Sequence, residues 1–349
     1  MKKVICRFGF MLIFSFIGCS NYESPRSSLE AAIAARDGGR YSEAILAFKN
    51  LSDQKNPIAM RYYAQHLKMG IGVRKDEQQA ETLFKEAFPG VMNLAEQGDT
   101  LAQYNLGVMY KSGEGVDKNH TEAAKWFLKA ADQGNAGAQF TLGSMHYFGD
   151  GVEKNYVEAA KWIQKAADQG NVAAQVNLGK MYYAGEGVGK NPAEAAKWCR
   201  QAASQGAATA QSRLGSMYYY GDGVEKNYTE AALWFQKAAG QGDVIAQRGL
   251  GLMYYSGQGL EKNYTEAAKW CRAAADQGDA EAQRGLGTMY YLGQGVKQDS
   301  RQAYKWLLLA ETNGLVKGSI LGRVGKTLTA KELASAKEEA AGFIKQPRQ

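Results

Sequence analysis

The hydrophobic positions of this chain repeat every 36 residues, and within each period their spacing is helical. In residues 102–134, Leu106 and Met109 fall on one face of a first helix. Ala123 and Trp126 begin a small–large packing pattern on a second helix. All six tryptophans mark the same place in the period: Trp126, Trp162, Trp198, Trp234, Trp270 and Trp306. The pattern predicts a repeat protein in which each tryptophan packs at an interface.

Glycine and asparagine mark the ends of the two predicted helices. Gly113 and Gly115 are expected to end the first helix, because glycine tolerates the left-handed backbone of a helix stop. Asn119 is expected to cap the second helix, with Glu122 reaching back to complete a capping box. Gly107 belongs to a recurring Leu-Gly pair inside the first helix, where glycine costs about 1 kcal/mol relative to alanine. Its recurrence indicates that a neighbouring backbone passes too close for a side chain.

The whole pattern resembles a known repeat family. It is A-x3-LG-x-MY-x2-G-x-GV-x2-N-x2-EAA-x-W-x3-AA-x2-G, and it resembles the Sel1-like repeat, a relative of the tetratricopeptide repeat. The match runs from Ala59 to Gly314, about three quarters of the chain. The resemblance implies an all-α fold, a right-handed α-solenoid of antiparallel helix pairs. It also implies a non-enzymatic adaptor whose partner is a protein or an extended peptide bound on a concave surface.

The first 27 residues resemble an export and anchoring segment. Residues 1–18 have the form of a signal peptide, since three cationic side chains precede an apolar run too short to span a membrane. The run ends at Gly18-Cys19, which resembles a bacterial lipobox and predicts cleavage before Cys19 with lipidation of its thiol. Residues 19–27 would then be a lipidated tether. The alternative is an ordinary signal peptide with an incidental cysteine. By the same resemblance, Ser20 favours an outer-membrane lipoprotein facing the periplasm or the cell surface.

The rest of the chain divides by pattern into three segments. Residues 28–56 predict an N-terminal tetratricopeptide-like hairpin, and residues 57–314 predict seven Sel1-like repeats. Residues 315–349 predict a C-terminal capping helix and a tail. The first repeat carries seven extra residues, 88–94, which add about two helical turns, although Pro89 followed by glycine favours a kink or break instead. No linker is evident, so we expect one domain.

Charge and cysteine usage narrow the function classes. The net charge is +7, and removal of residues 1–19 takes away three cations and no acid, which leaves +4. There is no basic block, so we expect no nucleic-acid partner. Cys199 and Cys271 occupy the same repeat position two units apart, roughly 20 Å, which is too far for a disulfide. They are expected to be free and buried.

Catalytic and metal-binding patterns are sparse. The three histidines share no ligand spacing, so we expect no metal site and no cofactor. Ser52 and Lys55 fit the Ser-x-x-Lys motif of penicillin-recognising enzymes, but no other motif of those enzymes accompanies them. We therefore expect no catalytic residue. The alternatives to a scaffold are a penicillin-binding or β-lactamase-like envelope enzyme, and a surface-exposed factor that engages host proteins.

A row of tyrosines is the candidate binding surface. By resemblance to tetratricopeptide units, the residue after the Leu-Gly-x2-Tyr segment faces the concave wall, where Lys111 precedes five tyrosines: Tyr147, Tyr183, Tyr219, Tyr255 and Tyr291. Tyrosine combines a rigid apolar ring with a hydroxyl at low entropic cost. Arg248 and Arg284, at a more variable position, would attract a carboxylate. The alternative is that the tyrosines only pack against the adjoining helix.

Overall fold

The computed structural model describes residues 25–315 and 319–345, in which there are 18 α-helices and no strand. The predicted signal segment 1–18 and Cys19 lie outside the described residues, as do most of the tether and the last four residues. The prediction of an all-α fold made of helix pairs is confirmed for the described part of the chain. None of the described helices is both long enough and apolar enough to cross a bilayer.

The chain forms two compact units where the sequence predicts one domain, and the boundary falls inside a repeat. The first unit, Met1–Asn119, contains α1 (Pro25–Asp37), α2 (Tyr41–Asp53), α3 (Pro57–Met69), α4 (Glu77–Glu96) and α5 (Thr100–Ser112). The second unit is His120–Gln349. Its repeat helices are α6 (His120–Asp132), α7 (Ala136–Phe148), α8 (Tyr156–Asp168), α9 (Val172–Ala184), α10 (Pro192–Ser204), α11 (Ala208–Tyr220), α12 (Tyr228–Ala239), α13 (Val244–Ser256), α14 (Tyr264–Asp276), α15 (Ala280–Leu292) and α16 (Ser300–Thr312). Two further helices, α17 (Ser319–Gly325) and α18 (Ala330–Lys345), pack on α16.

The helix ends follow the predicted signals with one difference. Asn155 caps α8 by accepting hydrogen bonds from the backbone amides of Val157 and Glu158, both at 3.0 Å. Gly149 ends α7 in the left-handed conformation, with φ at 77°. The Glu158 carboxylate pairs with Lys161 at 2.5 Å, so this glutamate serves a salt bridge on the helix surface. The complete reciprocal capping box is found at Thr329 and Glu332, at the start of α18.

The Leu-Gly pairs allow the two helices of a repeat to touch. A Cβ atom added to Gly251 in α13 would lie 2.6 Å from the sulfur of Cys271 and 3.4 Å from the carbonyl oxygen of Ala267, both in α14. Gly287 in α15 meets the Leu307 side chain at 2.8 Å in the same way. The predicted close approach is confirmed, but its nearest contact is a side chain of the second helix, and the backbone lies slightly farther away.

In the first unit, α4 is one continuous helix. Of the two alternatives that the sequence offers, the preserved helix is found and the break at Pro89 is not, because α4 runs from Glu77 to Glu96 through the proline. Two turns preserve the buried face, so Val91 and Ala95 stay in the core. The turn after α5 lies against α4: a Cβ on Gly115 would be 2.3 Å from the carbonyl oxygen of Phe84.

The same unit holds one buried ion pair. The Arg61 guanidinium donates to Glu114 at 2.8 Å and to the side-chain carbonyl of Asn105 at 2.9 Å, with the side chains of Arg61 and Glu114 only 2% and 7% exposed. These bonds tie α3 to α5 and to the turn that follows α5. A carboxylate and an amide oxygen that both accept from the guanidinium offset part of the desolvation penalty of these buried charges.

A glutamine in every first helix of the second unit links successive repeats. Gln211 in α11 donates to the carbonyl of Ala203 at 3.1 Å and accepts from Gln241 at 2.8 Å. The same two bonds recur along the unit at Gln139, Gln175, Gln247 and Gln283. These side chains are 6% exposed or less, so the chain of amides satisfies polar atoms inside the core.

Candidate functional site

Four of the five row tyrosines are bonded to the turn of the following repeat. Their hydroxyls donate to the middle residue of the Gly-x-Gly turn: Tyr147 to Glu186 at 2.6 Å, Tyr183 to Asp222, Tyr219 to Gln258 at 2.8 Å and Tyr255 to Gln294 at 3.0 Å. The fifth, Tyr291, packs against the core cluster that contains Leu307 and Val324. Four tyrosines of the row therefore connect repeats through their hydroxyls, and a partner would contact their rings.

The acidic turn residues change the ionisation of two of these tyrosines. The hydrogen bond to Glu186, followed by burial, raises the pKa of Tyr147 to about 12. The hydrogen bond to Asp222 raises the pKa of Tyr183. For Tyr219, whose turn partner is a glutamine, burial is the main cause of a raised pKa. All three phenols stay protonated, and able to donate, at neutral pH.

A groove of about 820 Å³ opens on the wall formed by α11, α13 and α15. Four of the predicted binding residues line it: Tyr219, Tyr255, Arg248 and Arg284. Its other lining residues are mainly apolar and include Tyr220, Phe235, Ile245, Leu252, Cys271, Met289, Leu307, Leu315, Ile320 and Leu321. Tyr147, Tyr183 and Tyr291 are not among the residues that line this groove. The structure thus gathers four of the seven predicted side chains into one surface, at the C-terminal end of the repeats.

Both groove arginines have acidic partners within the protein. Arg248 lies 2.8 Å from the carboxylate of Asp279, which also accepts the amide of Ala282 and so caps α15. Arg284 pairs with Glu281 one turn earlier in α15. The positive charge that the sequence suggests for this wall is therefore compensated inside the groove.

Two glycines in the groove were missed by the sequence analysis. Gly249 in α13 and Gly285 in α15 occupy the same position of their repeats and line the groove. A Cβ on Gly249 would lie 2.9 Å from the Phe235 ring, and one on Gly285 would lie 3.8 Å from the Cys271 sulfur. The signal was present in the sequence, because earlier repeats have a larger residue at this position: Thr141, Asn177 and Arg213.

The remaining candidate residues do not form a reaction centre. Cys199 and Cys271 are free and buried, as predicted, and burial raises the pKa of each thiol to about 11. Ser52 is buried in α2, whereas Lys55 is exposed with its ammonium 3.5 Å from Glu86. Among the described residues, no group of three histidine, cysteine or acidic side chains could hold a metal ion. His66 contacts the carbonyl of Ile71 at 3.1 Å and is buried.

Stacked helix pairs with an apolar groove across three first helices define a scaffold for protein interactions. The Sel1 repeat model matches residues 57–88, 100–135, 136–171, 172–206, 208–243, 244–279 and 280–315. The chain belongs to the Sel1 repeat family. A comparison with curated proteins finds no match.

Two solved structures are similar to this chain. A Sel1 repeat protein from Oxalobacter formigenes shares 31% identity, with 87% of this chain and 86% of that one covered and a TM-score of 0.59. A protective antigen of uropathogenic Escherichia coli with an SLR fold shares 27% identity, with coverages of 94% and 93% and a TM-score of 0.45. The first of these supports the same repeat architecture.

Proposed function

We propose that this protein is a non-enzymatic scaffold that binds an extended polypeptide in the groove on α11, α13 and α15. The groove itself carries the proposal, since it joins exposed apolar surface to a few polar groups on a rigid wall. Tyr220, Ile245 and Leu252 are 72%, 50% and 47% exposed, and all three line this groove. An exposed apolar patch with a polar rim is typical of a protein-interaction site.

The polar groups of the groove suit a polypeptide backbone. Arg248 and Arg284 each have more N–H groups than their acidic partners use, and guanidinium donors bind carbonyl oxygens well. The rings of Tyr219 and Tyr255 are held in place by their bonds to Gln258 and Gln294. A preformed wall of this kind lowers the entropic cost of binding.

The double substitution Tyr219→Ala with Tyr255→Ala tests this proposal. Partners would be captured by crosslinking and pull-down from the native bacterial envelope, with the wild-type protein as reference. We expect the double variant to capture clearly less of the wild-type partner. Tyr219→Phe with Tyr255→Phe keeps the rings and removes the hydroxyls, so it should retain most of the capture. Tyr147→Ala, outside the groove, controls for the loss of a hydroxyl tie between repeats. Unchanged capture by the double alanine variant would reject this groove as the binding surface.

We further propose that the protein is an envelope lipoprotein anchored through Cys19. The support is the sequence alone: a cationic start, a short apolar run and Gly18-Cys19 at its end. One acyl anchor gives only reversible binding, and diacylation holds a protein on a membrane. Cys19→Ala should release the protein from the membrane fraction or leave it unprocessed. If this variant stays in the membrane fraction at the mature size, Cys19 is not the anchor. Protease treatment of intact cells would separate a periplasmic from a surface location.

A further inference from the structure

The groove lies where two successive repeats have glycine at a position that holds a larger residue in earlier repeats. At the position of Gly249 and Gly285, the earlier first helices of this unit place Thr141, Asn177 and Arg213. Thr141 and Asn177 bond back to their own helices, and the Arg213 guanidinium lies 5.8 Å from the centre of the Tyr183 ring. Side chains therefore cover this position in α7, α9 and α11. In α13 the Phe235 ring lies directly against Gly249, whereas in α15 the space beside Gly285 is open.

The two cysteines show the effect of this difference directly. Arg213 follows Cys199 at the same distance in sequence as Gly285 follows Cys271, so the two pairs occupy equivalent places in the fold. Arg213 is close enough to Cys199 to influence its thiol electrostatically, and Cys199 is 1% exposed. Cys271, beneath Gly285, is 8% exposed and lines the groove. Gly285 thus leaves Cys271 as part of the groove floor.

The floor is apolar, and the charges around it are compensated. It is made of Phe235 and Cys271, with Met289 and Leu307 beside them, and all four are among the buried core residues. Arg248 is paired with Asp279, as described above. The electrostatics of the groove therefore favour an uncharged apolar group above these residues over a carboxylate.

We infer that Gly285 opens an anchor pocket in the groove floor, next to the Phe235 ring that lies against Gly249, and that this pocket takes one bulky apolar side chain, leucine or phenylalanine, of the bound polypeptide. This inference rests on the proposed function and adds the residue type that the site selects. The groove is much larger than one side chain, so the anchor occupies only its deepest part and the flanking peptide lies along the tyrosine rings. Because burial of apolar surface is favourable, a peptide with leucine at the anchor should bind about tenfold or more tightly than the same peptide with alanine there.

The test uses a random dodecapeptide library displayed on phage and panned on the full-length protein. Peptides that bind are then compared on three proteins: wild type, Gly285→Asn, which restores the side chain found at position 177, and Gly342→Asn. Gly342 is an exposed helical glycine in α18 with open space around it, so it is a matched control for helix propensity. We expect enriched peptides to share one leucine or phenylalanine. The affinity should fall about tenfold or more when that residue becomes alanine, or when the protein carries Gly285→Asn, and should be unchanged with Gly342→Asn.

Thermal unfolding separates a filled pocket from a misfolded variant. Asparagine costs less than glycine in a helix interior, and a Cβ at position 285 makes only ordinary contact with Cys271, so Gly285→Asn should melt no lower than wild type. Weaker binding without loss of stability is the signature of a filled pocket.

The two cysteines give a second readout. A bound peptide should slow N-ethylmaleimide labelling of Cys271 and leave that of Cys199 unchanged.

The outcomes distinguish the anchor from the groove. If the selected peptides bind Gly285→Asn as well as wild type, or share only acidic residues, the anchor pocket is wrong. The proposed function still holds in that case, provided that Tyr219→Ala with Tyr255→Ala weakens the same peptides. The anchor and the groove are both rejected if no peptide is enriched. They are also rejected if the enriched peptides bind Gly285→Asn and the double tyrosine variant as tightly as wild type.

Discussion

At the scale of single residues, the tryptophans fall into two groups that the sequence does not distinguish. Trp126, Trp198 and Trp306 are buried, at 8%, 5% and 1% exposure. Trp162 is half-buried, and the Lys165 ammonium lies 3.9 Å from its ring centre. The expected interface role therefore applies most strongly to the buried group.

Trp198→Ala should lower the free energy of unfolding by about 3–5 kcal/mol, because it opens a cavity among Ala166, Leu178 and Met181. Trp162→Ala, its matched control in the preceding repeat, should cost clearly less, since part of that ring already contacts solvent. Urea unfolding followed by circular dichroism measures both. Equal urea midpoints for the two variants would show that the burial of the tryptophan does not determine how much stability its loss removes.

The phenol of Tyr147 makes stability depend on pH at the alkaline end. Its pKa of about 12 in the folded protein exceeds the usual value near 10 in an unfolded chain. The unfolded chain therefore loses this proton first, and the contribution is fully present below pH 10 and is lost as the pH rises through 12. The stability difference between wild type and Tyr147→Phe should shrink over that window in urea unfolding series. A constant difference would contradict the bond to Glu186.

At the scale of the helix, the first helix of one Sel1 repeat lacks the side-chain cap that the first helices of neighbouring repeats have. Asn171 accepts the amide of Ala174 at the start of α9, and Asp243 and Asp279 do the same for α13 and α15. Ala207 stands at that place before α11 with no side-chain cap. The backbone there has the same extended conformation as its neighbours, so the helix starts in the right place without the bond.

Ala207→Asp should therefore stabilise the protein by about 0.5–2 kcal/mol, through a new bond to the α11 amides and a favourable interaction with the helix dipole. Asn171→Ala, the reverse change two helices earlier, should destabilise it by a similar amount. Melting temperatures of the two variants against wild type provide the measurement. A lower melting temperature for Ala207→Asp would show that the cap cannot form there.

At the scale of the whole molecule, the glutamine chain couples each repeat of the second unit to its neighbour. In a stack of this kind, stability is close to a sum of terms for single repeats and for adjacent pairs. Gln211→Leu removes one hydrogen bond to the Ala203 carbonyl and one from the Gln241 amide, at a cost of about 1–3 kcal/mol.

The loss should stay local. Hydrogen exchange followed by mass spectrometry should show faster exchange in α10–α12 and no change in α15 and α16. Gln236 is an exposed glutamine in α12, so Gln236→Leu is the control that makes the same change of side chain without removing a hydrogen bond between the repeat glutamines. Uniformly faster exchange along the whole unit would mean that the repeats unfold together.

The sequence by itself determined the period, the helix pairs, their caps and the left-handed glycines, because these depend on residues close together in the chain. It also indicated the tyrosine row and the two arginines as wall residues, since one repeat position faces one side. It left two alternatives at Pro89, because seven added residues keep the helix face whereas proline removes a backbone hydrogen bond, and only the structure shows that α4 continues through it.

Only the tertiary structure decided what the wall residues do. The tyrosine hydroxyls bond to turns 39 residues farther along the chain, and Arg248 pairs with a carboxylate 31 residues away. The site is likewise set by distance in space: alignment of the repeats shows that Gly249 and Gly285 replace larger residues, but it does not show that they border a groove. The groove floor forms only when α13 and α15 lie side by side over Phe235 and Cys271. Packing between layers brings these groups together, and the repeat pattern of one helix does not contain that information.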